Sequence, residues 1–196
     1  MKLNVPYLSQ QLDVTKEEWR DRACGVTALT MILNYHLSDE MCSIDELIDE
    51  GVLIGGYGER GWIHDGLVAL ARNHGLSAYR QEFRSMTINV VAKTMHASDH
   101  EHDLIADGLH TIVRALESGM PVIVSVFGGF RNGGEYHIIV LTGYERDHTR
   151  GALGGFYYHE PNTSDPATGT HAYVNRETFK KYWRKMAIFI RKSEYK

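Results

Sequence analysis

Helix-period patterns dominate the first half of the chain and apolar β-runs its last third. That order predicts an α+β fold, with N-terminal helices packed on a C-terminal antiparallel sheet. Three observations carry the prediction. Cys24-Gly25-Val26-Thr27-Ala28-Leu29-Thr30-Met31-Ile32-Leu33 puts Val26, Leu29, Ile32, Leu33 and, further on, Leu37 on one helical face. The runs Val122-Ile123-Val124-Ser125-Val126-Phe127 and Ile138-Ile139-Val140-Leu141 are rich in β-branched residues and read as buried strands. Gly119 and Pro121 separate the last strong helical pattern from the first of those strands.

Taken in order, Asn4 to Gln10 reads as an extended segment around Pro6. The first helix runs from Cys24 to Leu37. Ser43 caps a second helix with Asp45 and Glu46 in its first turn, and Gly51 is expected to stop it. Gly55 to Gly61 holds too many glycines for regular structure and is expected to be a mobile loop. A third helix covers Trp62 to Asn73, with Leu67, Leu70 and Ala71 inward and Gly75 just beyond its end. Ser77 to Phe83 suits a strand, and Arg84 to Asp103 gives little signal. A fourth helix spans Asp103 to Ser118. Strands follow at 121–127, 136–144 and 155–160, the last cut off by Pro161. The loop from Asn162 to Gly169 leads to His171-Ala172-Tyr173-Val174. Asn175 or Thr178 opens a short helix through Trp183, and Met186 to Ile190 closes the sheet. No repeat, low-complexity segment or linker divides residues 1–196, so one domain is expected.

Composition narrows the function classes. An apolar fraction of 43% and a charged fraction of 23% suit a soluble globular chain long enough to bury its own core. Net charge is −4 with no long basic block, which argues against nucleic acid as a partner. No apolar run approaches the roughly 20 residues that span a bilayer, so no membrane role is expected. Met1-Lys2-Leu3-Asn4-Val5-Pro6 lacks the apolar core of a signal peptide, and the two cysteines, Cys24 and Cys42, make no disulfide framework. Both features point to a cytoplasmic location.

The chemistry-bearing residues are few. Cys24 falls at the first turn of its helix, where unpaired N–H groups and the positive end of the dipole favour a thiolate. Gly25 is expected to leave open space beside the sulfur. His137 opens an apolar strand after a glycine-rich turn, and Glu160-Pro161-Asn162 ends the next strand. If the two strands form a hairpin, either Glu160 or Asn162 can accept a hydrogen bond from the imidazole and fix its tautomer. Cys24 as nucleophile, His137 as base and one of those two as orienter follow the logic of acyl transfer. A helix-borne cysteine followed by a strand-borne histidine and orienter is the order of papain-like folds.

Val5-Pro6-Tyr7-Leu8-Ser9-Gln10, Cys24-Gly25-Val26-Thr27-Ala28-Leu29-Thr30-Met31, His137-Ile138-Ile139-Val140-Leu141-Thr142-Gly143-Tyr144 and Glu160-Pro161 together resemble the motifs of the C39-like cysteine peptidases. Phe179 and Trp183 before the last strand are similar to that family's tail. The resemblance implies a papain-like fold and a peptide or protein substrate, with no cofactor. It also implies an oxyanion hole formed by Gln10 and the Cys24 N–H. Val26 stands where many relatives have proline, and Glu160 where the family usually has aspartate. Residues 51–103 have no counterpart in the resemblance.

The implied activity is that of a cysteine peptidase or related amide hydrolase working through a thioester. Two alternatives share the residues: a thiol acyltransferase, and a papain-fold peptide-binding module that has lost catalysis. His96, His100 and His102, with Asp99, Glu101 and Asp103, form a weak candidate for zinc or nickel, weighed against a solvated loop. His64-Asp65 is read as a helix-surface pair, Cys42 as a plain thiol, and the basic tail as a solvated face. Tyr57, Trp62, Phe130 and Tyr158 are candidate groove walls weighed against ordinary packing. Oligomeric state has no signature here.

Overall fold

The computed structural model describes residues 1–38, 41–89, 94–97, 100–132, 134–147 and 151–193. An extended N-terminal segment and a 3-10 turn at Glu17–Trp19 lead into α1 (Cys24–His36) and α2 (Ile44–Leu53). A short ladder of β1 (Tyr57–Gly58) and β2 (Gly61–Trp62) precedes α3 (His64–Asn73) and β3 (Leu76–Glu82). Then come β4 (Met86–Asn89), β5 (Thr94–Ala97) and α4 (Glu101–Glu117). The C-terminal half holds β6 (Val122–Phe127), β7 (Tyr136–Arg146), β8 (Leu153–His159), α5 (Pro166–Gly169), β9 (Ala172–Asn175), α6 (Arg176–Tyr182) and β10 (Trp183–Lys192). No helix of the described residues is long and apolar enough to cross a membrane.

Six strands form one antiparallel sheet in the order β3-β10-β6-β7-β8-β9. Helix α1 lies against β7, with α2 and α3 also packed on it. Every residue from Gly25 to Asn34 is buried, so α1 is enclosed all round rather than along the one expected stripe. Thr30 tolerates this by donating its hydroxyl to the Val26 carbonyl at 2.8 Å. Leu29, Ile32 and Leu33 are fully buried, and burial of each contributes about 1.5–3 kcal/mol. That anchoring makes the start of α1 a rigid platform for whatever stands there.

Four local expectations change. Gly51 does not end α2. It lies inside the helix because a Cβ there would come within 2.5 Å of the Trp62 ring. The glycine-rich stretch does hold regular structure, with β1 and β2 paired and Gly61 at φ +97°, a conformation that favours glycine. The weak 84–103 region contains the β4–β5 pair and the first residues of α4, which starts two positions earlier than expected. The Asn162–Gly169 loop includes a helical turn capped by the Asp165 carboxylate, which accepts the Ala167 N–H at 3.0 Å.

Candidate active site

Cys24 is the first residue of α1, and its predecessor Ala23 supplies no side-chain cap. The Cys24 backbone N–H therefore has no partner within the helix. The approach to the cysteine is held by aromatic packing. Trp62 is buried, donates its indole N–H to the Arg22 carbonyl at 2.8 Å, and packs on Trp19 and Tyr57. Gly25 serves this contact: a Cβ there would lie 2.7 Å from the Trp62 Cβ. Its missing side chain makes room for the indole, not for an incoming molecule as expected. Trp62 and Tyr57 thus buttress the Cys24 loop instead of walling a groove.

His137 sits near the start of β7, opposite Val126 of β6. Strand β8 returns alongside, with His159 opposite Val140, so Glu160 emerges beside the mouth of β7. His137 Nε2 and Glu160 Oε1 are 2.5 Å apart, with the two side chains only 13% and 19% exposed. Cys24 lines the same cleft as the ring, and its thiol is one of the groups that bear on the imidazole. With Nε2 engaged by the carboxylate, Nδ1 is the ring nitrogen left for the thiol. Burial pulls the imidazole pKa down, but hydrogen bonds and charge from Cys24 and Glu160 outweigh it and push it up to about 10.

Glu160 is itself fixed. Its Oε1 accepts the Asn162 backbone N–H at 2.8 Å, its own N–H goes to the Gly169 carbonyl, and its carbonyl accepts the Tyr7 hydroxyl at 3.0 Å. The longer side chain thus reaches the ring. Of the two orienters left open by the sequence, Glu160 meets His137, whereas the Asn162 side chain accepts from Gln11 Nε2 at 2.8 Å.

Gln10 is buried beside the same cleft. Its backbone N–H bonds the Pro161 carbonyl, and its Nε2 donates one hydrogen to the Arg20 carbonyl at 2.5 Å. The amide nitrogen carries a second hydrogen for the cleft. Gln10 Oε1 has no hydrogen-bond partner among the described residues. A cleft of about 510 Å³ joins Gln10, Cys24, His137 and Glu160. Arg131, Asp21 and Glu135 give it mixed charge, and Tyr136 and Tyr158 line it. Asp21, Arg131, Glu135 and Tyr136 were not singled out from sequence, because no motif or periodic pattern marks them. Tyr158 does reach the cleft, and Phe130 packs behind it with ring centroids 5.2 Å apart.

The other candidates stand apart. His64 is half-buried and held neutral, its pKa lowered to about 4 by burial and by the charges of Arg184 and Arg80, while Asp65 accepts from Arg80 Nε. His100 and His102 are exposed at the start of α4, and no group of three metal-binding side chains converges among the described residues. Asp99 and the side chain of His96 lie outside the described residues.

The sequence matches the Peptidase_C39 like family over residues 2–188, and the chain belongs to that family. The match includes residues 51–103, for which the motifs offered no counterpart. The structure is similar to that of a Bacillus anthracis protein assigned as a C39-like peptidase, at 18% identity over 98% of each chain and a TM-score of 0.63. It is also similar to the peptidase domain of Streptococcus ComA, a bifunctional ABC transporter of a quorum-sensing pathway. That likeness has 17% identity, 88% and 93% coverage of this chain and that one, and a TM-score of 0.57. A third likeness is to a double glycine motif protease from an AMS/PCAT transporter in complex with the leader peptide. It has 16% identity, 98% and 94% coverage, and a TM-score of 0.54. These likenesses establish the fold, which is papain-like. No curated protein matches the sequence.

Proposed function

We propose that the chain is a cysteine peptidase or closely related amide hydrolase, with Cys24 as nucleophile, His137 as acid–base and Glu160 as its orienter. The observation that carries this reading is the imidazole held between a helix-terminal thiol and a carboxylate, and strongly favoured in its protonated form. Glu160 on the ring also weighs against a binding module with a vestigial triad, which would leave His137 without its orienter.

The steps follow from the positions. His137 Nδ1 takes the Cys24 proton, giving a thiolate beside an imidazolium whose charge faces Glu160. The thiolate attacks a peptide carbonyl carbon. The developing oxyanion accepts from the Cys24 N–H and the second hydrogen of Gln10 Nε2, a type of donor worth about 3–4 kcal/mol in the transition state. His137 then protonates the leaving amine, leaving a thioester on Cys24. It next removes a proton from water, which attacks the thioester and releases the acid. Peptide as the substrate class is supported by the structurally similar protease bound to a leader peptide.

A peptide library incubated with wild type and with Cys24→Ala tests the reading. Cleavage by wild type alone supports it, and mass spectrometry of the products gives the specificity. Equal cleavage by both proteins, or by neither, overturns it.

A further inference from the structure

The far end of α1 carries a second thiol–imidazole–carboxylate chain, unrelated to the cleft. Cys42 Sγ lies 3.5 Å from His74 Nδ1, and His74 Nε2 lies 2.8 Å from Glu50 Oε2. Asn73 Nδ2 holds the other oxygen of Glu50 at 2.9 Å. Three elements supply the parts: Cys42 precedes the cap of α2, Glu50 belongs to α2, and His74 follows α3. The group is held in place yet reachable. Asn34 clamps the Cys42 peptide from both sides, accepting its N–H at 2.9 Å and donating to its carbonyl at 3.2 Å. His74 and Glu50 are 27% and 29% exposed, and Cys42 is half-buried. Cys42 is held beside Asn34, ten residues along α1 from Cys24, which is about 15 Å of helix.

The same clamp says which chemistry this thiol suits. Attack on a carbonyl needs a donor for the oxyanion, and the natural one, the N–H of the cysteine itself, is committed here to Asn34. Attack on a sulfur creates no oxyanion, because the charge stays on the sulfurs in line. We infer that Cys42, relayed through His74 to Glu50, is an activated thiol that exchanges with low-molecular-weight disulfides. His74 Nδ1 takes the Cys42 proton while Nε2–H donates to Glu50. The thiolate attacks one sulfur of the disulfide, the Cys42–S bond forms as the S–S bond breaks, and the leaving thiolate regains the proton from His74. One disulfide is consumed and one mixed disulfide is formed, with no net oxidation.

The test uses the full chain carrying Cys24→Ala, so that Cys42 is the one remaining thiol, and glutathione disulfide as the probe. Mixed-disulfide formation is followed by mass spectrometry from pH 6 to pH 9.5, beside a short unstructured cysteine peptide. At pH 6.5 Cys42 reacts about tenfold faster than the peptide, because His74 stands at 3.5 Å to take the thiol proton. His74→Gln brings the rate down to that of the peptide. Glu50→Gln, which retains a hydrogen-bond acceptor for the ring, lowers it partway and provides the test if the histidine variant folds poorly. All rates converge near pH 9, where ordinary thiols ionise unaided. A Cys42 rate no higher than the peptide's overturns the inference. So does an equal or faster rate in His74→Gln, or variant rates lowered by one constant factor at every pH, which would mark a change of access only.

Discussion

His137 and Glu160 close a contact of 2.5 Å between the mouth of β7 and the chain leaving β8. The contact is pinned on the Glu160 side by the Asn162 N–H, the Gly169 carbonyl and the Tyr7 hydroxyl. The ring orientation therefore depends on the backbone of a loop as well as on one carboxylate.

On the proposed mechanism, the protonated imidazole is expected to set the upper pH limit of activity. With the His137 pKa raised to about 10, kcat/KM is expected to hold through neutral pH and fall as pH rises past 10 and the imidazolium is lost. Glu160→Gln removes the charge and moves this alkaline limb to lower pH. Glu160→Asp keeps the charge but shortens the reach from a fixed backbone, and about a hundredfold loss in kcat is expected. A pH–rate series on the three proteins checks both. An unmoved limb in Glu160→Gln would contradict the assignment.

Gln10 is expected to act on the transition state. Gln10→Ala should lower kcat by about 100- to 1000-fold with little change in KM, the pattern of a lost oxyanion donor. The unpartnered Oε1 fits a side chain held for its nitrogen, since a buried carbonyl left unpaired costs about 1–3 kcal/mol. A rise in KM at constant kcat would assign Gln10 to substrate binding instead.

His159 predicts acid sensitivity of the fold. Burial lowers its pKa to about 4 despite the bond from Nε2–H to the Val5 carbonyl, and Nδ1 accepts the His171 N–H. Between pH 6.5 and 4 the unfolded chain binds a proton that the folded one refuses, so stability falls as pH drops. The loss from this group approaches about 3 kcal/mol. His137 has the opposite sign: its contribution is complete below pH 6.5 and disappears as pH rises through 10. Urea unfolding at pH 4.5, 6.5 and 9.5 should be most stable at the middle value, and His159→Gln should flatten the acid side. An acid slope unchanged in that variant would contradict the role.

Much of this was readable from sequence because it depended on local pattern. The Val26, Leu29, Ile32 series placed α1, and the strand patterns at 136–144 and 155–160 left open the hairpin that brings His137 and Glu160 together. Glycines were harder to read. Gly25 and Gly51 are there for the approach of Trp62, and a sequence does not distinguish a glycine needed for contact from one needed for a turn. Which of Glu160 and Asn162 meets the ring was not legible, because the Asn162 side chain is engaged by Gln11 from the other end of the chain. Cys42 read as a plain thiol because its imidazole lies 32 residues away, with no motif joining them.

The central claim is that His137 activates the Cys24 sulfur for attack in the cleft. It is tested most directly by the rate of iodoacetamide alkylation at Cys24, mapped by peptide mass spectrometry at pH 6, in wild type and in His137→Ala. Fast alkylation of Cys24 in wild type, falling at least about tenfold in the variant, is the predicted result. Slow alkylation of Cys24 in wild type, or the same rate in both proteins, would contradict it.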